Sequence, residues 1–385
     1  MKTSTDHVLT THVGSLPRPA DVTEIVFARE REEQVDEAEF DRVIGAAVTD
    51  VTRRQSEAGI SIPSDGEMSK ISYATYIKDR LTGFAGDSPR RAPADLQQFP
   101  TLLEKLAKSG GTPEYRRPVC VDKIEVKTLE PLHQDIRTQK AAMAQNGFDE
   151  GFMNSASPGV IALFQPSEYH ASHEEYLENV AEAMRHEYEA IVASGLLLQL
   201  DSPDIGLGRH ALFPDLTDDE FVKKAELHVE VLNHALRNIP GDRVRMHICW
   251  GNYEGPHICD IPLAKVLPTV LKAKPRGLLF ETSNPRHAHE WRVWQETKIP
   301  DDYVLIPGVI DSTTNFVEHP ELVADRIELF ANLVGRERVI AGTDCGFATF
   351  AGFGAVDGAV AWEKLKSLGE GARLATRRLW GNDAA

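Results

Sequence analysis

Two side chains that bind soft metals stand two residues apart in Met246-His247-Ile248-Cys249. On an extended strand alternate side chains share a face, so the His247 imidazole and the Cys249 thiol point the same way. An imidazole and a thiolate converging make half of a zinc site, and Zn2+ accepts nitrogen, oxygen and sulfur. Two further donors, Glu281 in LLFETS and Cys345 in GTDCGF, end later apolar segments. A single His-x-Cys says little, because free cysteine is a common buried residue and a core histidine is usually only hydrogen-bonded. The chain carries a second copy, His257-Ile258-Cys259. It follows Gly255-Pro256, a loop signal, so those two side chains need not share a face. His287 and His289 in NPRHAHEW are alternative ligands, in a stretch that reads as the opening of a helix.

Acidic residues end several other apolar segments: Glu67 in SDGE, Asp201 in LLLQLD and Asp311 in IPGVID. Such carboxylates either tie loops together by accepting backbone N–H bonds or orient a substrate ammonium group through charge-assisted hydrogen bonds. At Val13-Gly14-Ser15-Leu16-Pro17-Arg18 a strand ends before a Pro-started helix. That turn offers N–H groups and the Ser15 hydroxyl to a carboxylate, or is a plain βα connection. Trp250, Tyr253 and Trp291 flank the metal-donor segments and either line a pocket or pack. Arg286 either anchors an anionic group or caps the rim.

Something must gather these scattered ends. Short apolar segments alternate with amphipathic helical ones such as EEYLENVAEAMRHEYEAIVASG along nearly the whole chain. Repeated βα units predict a parallel sheet, and near-continuous apolar strands predict one buried on both faces. Eight such units close into a (β/α)8 TIM barrel, whose strand ends collect at one face where active sites are built. Nine candidate strands are counted, from HVLTTHVGS, SIPSDGE and VCVDKIEV to RVIAGTDCGF, so one lies outside the barrel. An open doubly wound sheet is disfavoured, since no G-x-G-x-x-G follows the first strand. Residues 86–117, rich in Pro, Gly and charge, read as a loop excursion with a short helix, placed to cover the site mouth. The expectation is one catalytic barrel over residues 1–385.

Composition narrows the partners. With 59 Asp and Glu against 42 Lys and Arg, the 385 residues carry a formal charge of −17. Such a surface repels phosphate backbones and anionic lipid heads, which excludes nucleic acid and membrane as expected partners. No apolar run approaches the roughly 20 residues that span a bilayer, and no secretory signal is visible. Four scattered cysteines cannot form a disulfide scaffold and fit a reducing, cytoplasmic setting.

Taken in order, THVGSLPRP, SDGE, LQLDSP, HICW, FETS, IPGVID and GTDCGF resemble the catalytic barrel of the cobalamin-independent methionine synthases, and more closely their single-barrel relatives. The duplicate amino-terminal barrel of the full-length synthases has no counterpart in this sequence. The resemblance implies a Zn2+ held by His247, Cys249, Glu281 and Cys345. It also implies that Ser15, Glu67 and Asp201 hold the amino acid part of homocysteine, and that methyl transfer to this small-molecule thiol is the reaction. Asp311 is expected to take a catalytic part at the strand end where the synthases place a nearby histidine; Thr313 stands in that position here. The Trp-Ser-Phe stretch beside the pterin is also missing after Ser157-Pro158-Gly159. The thiol-activating half therefore matches better than the folate half, and the methyl donor stays open. The alternative within this chemistry is thiol addition to an epoxide, as in the epoxyalkane:coenzyme M transferases, with Lys70, Arg286 and His287 as sulfonate anchors. A zinc hydrolase and a purely structural zinc are the readings outside the transferase class.

Overall fold

The computed structural model describes residues 1–89, 92–110 and 116–381. Among them the strands are β1 (Leu9–Thr10), β2 (Phe84–Ala85), β3 (Val119–Cys120), β4 (Phe152–Ala156), β5 (Leu197–Asp201), β6 (Val244–His247), β7 (Gly277–Phe280), β8 (Val304–Ile310) and β9 (Ile340–Thr343). Seven form one sheet in the order β1-β9-β8-β7-β6-β5-β4, every neighbouring pair parallel.

The two open edges of that sheet meet across residues 60–64. Ser61 and Ile62 each donate their N–H to Thr10 O at 3.0 Å, and Phe152 donates to Pro63 O at 2.9 Å. The segment SIPSDGE thus takes the eighth strand position and closes the barrel. It forms no regular ladder because Pro63 has no N–H to give and Ser64 spends its own on Gln55 Oε1 at 3.0 Å. The surplus ninth candidate is VCVDKIEV, whose first residues make β3, paired antiparallel with β2 outside the barrel. Helices follow the barrel strands, several with side-chain caps: Asp36 on Glu37–Glu57, Ser172 on His173–Ala193, and a full capping box of Thr217 and Glu220 on Asp218–Ala235. No described helix is long and apolar enough to cross a membrane.

The strand period sorts side chains into two layers. Along β5 and β6, Leu198, Leu200, Val244 and Met246 join the large cluster between sheet and helices. Leu197 instead joins a smaller inner cluster with Leu9, Ile62, Phe152, Leu279 and Ile306. Two-residue alternation then turns Gln199, Asp201, Arg245, His247 and Cys249 inward. The lumen is apolar at its base and polar toward the carboxyl ends. Arg245 marks the transition: fully buried, it lies 4.0 Å over the Phe152 ring and donates to Thr11 Oγ1 and His12 O, both at 3.0 Å.

Of the excursion at 86–117, residues 90–91 and 111–115 lie outside the described residues. The described part contributes the helices Ala94–Gln97 and Pro100–Gly110, and Ser88, Pro89 and Pro93 reach the cavity at the carboxyl face of the barrel.

Candidate active site

A cavity of about 530 Å3 opens at the carboxyl ends of the strands. At one pole lie His247, at the end of β6, Cys249 two residues on, and Cys345, just past β9. All three are buried, and one donor atom from each lies within 4.8 Å of the others. Because β7 and β8 separate β6 from β9 in the sheet order, the two cysteines approach by inward projection from strands that are not neighbours.

Glu281, closing β7, stands beside this trio but outside the 4.8 Å set. Its Oε1 accepts the Trp250 N–H at 2.8 Å and its Oε2 accepts from Asn284 Nδ2 at 2.6 Å. Asp344, next to Cys345, organises the surrounding turn by accepting the N–H groups of Thr282, Ser283 and Asn284, each at 2.9 Å. Gly308 permits that approach: a Cβ there would lie 2.2 Å from Asp344 Oδ1. His247 is fixed from both sides, its Nδ1 3.5 Å from Asp201 and its Nε2 3.1 Å from Asp344 O.

Electrostatics crowd this pole. The Cys249 thiol is pushed well above its ordinary range, first by the hydrogen bond with Cys345 and then by burial. Burial disfavours the His247 cation, yet Cys249 and Asp201 outweigh it and bring its pKa up to about 9. Burial, then the Glu281 and Asp311 charges, push Asp344 up to about 8. The Cys249 thiol and the His247 imidazole thus hold on to protons that a soft divalent cation would displace. The donor set therefore fits Zn2+.

Ser15, Glu67 and Asp201 line the same cavity. Glu67 has φ +59°, in the left-handed region, directly after Gly66 at +68°. This turn aims the carboxyl group into the cavity, where the residue is 1% exposed and Oε2 has no hydrogen-bond partner. Burial is the main reason its pKa rises to about 7, with Asp201 adding to the shift and Lys70 opposing it. Asp201 accepts from Asn154 Nδ2 at 2.9 Å. Gly346 lets the loop after β9 pass over Ser15, since a Cβ there would lie 2.1 Å from the Ser15 hydroxyl oxygen.

The structure thus brings Ser15, Glu67, Asp201, His247, Cys249 and Cys345 into one cavity, with Glu281 alongside. Asp311 is not brought to it. Its oxygens accept the backbone N–H and the hydroxyl of Thr313 and of Thr314, so it organises its own turn. Trp250 and Trp291 do not line the cavity, whereas Tyr253 does. His289 and Arg286 are exposed and do not line the cavity. Sequence reasoning missed Asn252, which donates to Gly346 O and Thr349 Oγ1 and so ties the segment after Cys249 to the loop after Cys345. It also missed the aromatic wall of Tyr73, Phe164 and Phe350, packed edge to face at 5.5–6.1 Å between ring centres. One signal for the wall was available: FATFAGF after Cys345 places aromatic residues among small ones where a loop was expected.

A TIM barrel that gathers two thiols and an imidazole in one cavity at its carboxyl face has the build of an enzyme, since active sites of this fold sit at that face. Comparison with known proteins narrows this reading. Residues 8–358 match the family model of the cobalamin-independent synthase catalytic domain, and the chain belongs to that family. The methionine synthase of Saccharolobus solfataricus is 25% identical over 375 residues, covering 96% of this chain and 95% of that protein. That of Thermococcus kodakarensis is 24% identical over 374 residues, covering 96% and 94%. Among solved structures, a B12-independent methionine synthase from Shewanella sp. W3-18-1, in complex with selenomethionine, superposes with a TM-score of 0.74 at 18% identity. It covers 98% of this chain and 100% of that one.

Proposed function

We propose that this chain methylates the thiol of homocysteine in a Zn2+-dependent reaction, with His247, Cys249, Cys345 and Glu281 as the metal donors. The observation that carries the reading is one cavity lined both by the soft donors and by Glu67, a buried carboxyl whose Oε2 has no hydrogen-bond partner. Family membership and the methionine synthase relatives support it.

Zn2+ bound there supplies a soft cation that keeps a substrate thiol ionised near neutral pH, where a free thiol of pKa about 8.5 is mostly protonated. The chain's own residues do the rest. Glu67 and Asp201 take the ammonium group of the amino acid, and the Ser15 hydroxyl takes its carboxylate, by charge-assisted hydrogen bonds. These anchors hold the chain of homocysteine so that its sulfur meets the methyl carbon in line, and such fixed geometry supplies much of the rate. The sulfur–carbon bond forms as the methyl group leaves its donor with the bonding electron pair retained by the donor. The aromatic wall excludes water from that step.

Thiol addition to an epoxide has less support. None of Lys70, Arg286 and His287 lines the cavity. Lys70 Nζ donates to Asn154 O at 2.7 Å, and His287 is held between Asp260 and Glu290. The test is isothermal titration of the zinc-loaded protein with homocysteine and with mercaptoethanesulfonate in two buffers of different ionisation heat. Homocysteine binding with proton release is expected; preference for the sulfonate, or binding without proton release, would overturn the proposal.

A further inference from the structure

The echo of the metal-donor motif, His257-Ile258-Cys259, ends next to Asp260, and the reaction above gives this cluster no part. The Asp260 side chain is 3% exposed and meets three imidazoles: His210 Nε2 at 3.1 Å, His257 Nδ1 at 3.0 Å and His287 Nε2 at 3.1 Å. Among the described residues only His247, Cys249 and Cys345 bring three donor atoms within 4.8 Å of one another, so this cluster is read as a hydrogen-bonded network and not as a cation site.

Its two outer histidines reach in different directions. His287 stacks on Trp250 with ring centres 4.2 Å apart, and its Nδ1 meets Glu290 at 2.7 Å. The Trp250 indole donates to Ile261 O at 2.7 Å, and its backbone N–H holds one oxygen of Glu281, the other being held by Asn284. His257 stacks on Tyr253 at 4.3 Å. The Tyr253 hydroxyl and the His257 N–H both donate to Asp95 Oδ2 at 2.8 Å, in the short helix over the cavity. His257 adopts φ +53°, a conformation that persists in a non-glycine residue only where the surroundings over-determine it.

We propose that Asp260 is a positioning residue that sets the Glu281 carboxylate through His287 and Trp250, and the facing cavity wall through His257 and Tyr253. One carboxylate thereby holds both the metal arm and the segment that covers the pocket. This inference rests on reading Glu281 as a metal donor. Partners behind a metal ligand typically alter metal affinity by about 10–100-fold when removed.

The test uses the full chain loaded with Co2+, whose thiolate charge-transfer absorption reports the cysteine donors and whose loss to a chelator gives a dissociation rate. Asp260→Asn and His287→Phe should keep the charge-transfer band, since His247, Cys249 and Cys345 are untouched. Both should release the metal roughly tenfold or more faster than the parent. Asp204→Asn serves as the control: it disturbs another buried Asp–His pair, with His228 at 2.8 Å, that has no link to Glu281. An unchanged release rate in both test variants, or equal acceleration in Asp204→Asn, would overturn the proposal. If Asp260→Asn does not fold, His287→Phe decides alone. Glu281→Gln separates the premise: a parental release rate there removes Glu281 as a donor and the inference with it. Failure of methyl transfer alone, with these release rates as expected, would overturn only the assigned reaction.

Discussion

Replacing Glu67 by glutamine should make the protein more stable and a worse binder at the same time. The Glu67 carboxyl is buried and Oε2 lacks any partner, and its pKa stands at about 7 instead of the ordinary 4.5. A raised carboxyl pKa means the native state holds this proton more tightly than the unfolded chain does. Stability is then full below about pH 4.5, falls as pH rises toward 7, and is level above it. The accumulated loss at pH 8 is about 3 kcal/mol. Glutamine cannot ionise, so Glu67→Gln should gain about 3 kcal/mol over the parent at pH 8 and under about 1 kcal/mol at pH 5. The same substitution removes a charged hydrogen bond to the substrate ammonium, worth about 1.5–3 kcal/mol, so homocysteine should bind roughly 10- to 100-fold more weakly. Urea unfolding of both proteins at the two pH values, beside calorimetric titration with homocysteine and with mercaptoethanesulfonate, reads both effects. A variant less stable than the parent at pH 8 would mean that the carboxylate supports the fold and is not held open for a ligand. An unchanged homocysteine affinity would refute the substrate assignment.

Cys249→Ser should lose Zn2+ to a competing chelator under conditions where the parent retains it, with unaltered far-ultraviolet circular dichroism; retention of metal would remove Cys249 from the donor set. Gly346→Ala would place a Cβ 2.1 Å from the Ser15 hydroxyl oxygen, so it should cost about 1–3 kcal/mol of stability by overpacking and raise the KM for homocysteine. A rise in KM for mercaptoethanesulfonate of equal size would show that Ser15 has no special part in holding the amino acid.

The convergence of His247 and Cys249 was legible because a strand's two-residue period is a strong rule. His247 and Cys249 share a face for the same reason that Leu197, Gln199 and Asp201 do, and burial of the intervening Leu198 and Leu200 on the helix side fixes which face. The same rule overcounted the strands. VCVDKIEV alternates as well as any barrel strand, yet it pairs antiparallel with β2 outside the barrel, and nothing in a local pattern tells a hairpin from a barrel position. SIPSDGE shows the converse: it fills a barrel position through three backbone bonds without forming a regular ladder.

The acidic strand ends divide on a subtler feature, and that feature is in the sequence. Asp311 is followed at two and three residues by Thr313 and Thr314, whose N–H groups and hydroxyls satisfy both its oxygens. An aspartate with such neighbours closes its own turn, a local competition that short polar side chains favour. Asp65 does the same on a smaller scale by accepting the Glu67 N–H at 2.9 Å. Glu67 comes after Gly66 and before Met68, so no adjacent side chain can reach its carboxyl group, and the left-handed backbone carries it into the cavity unpaired. Burying a carboxyl group without a partner costs free energy, so the position makes physical sense when a cation arrives to complete it. Asp344 and Asp260 follow neither pattern. Most of their partners come from distant segments, Thr282 to Asn284 for one and His210 and His287 for the other, with only His257 close in sequence to Asp260. Carboxylates of that kind become visible only once the barrel has folded, because the groups that satisfy them are brought together by it.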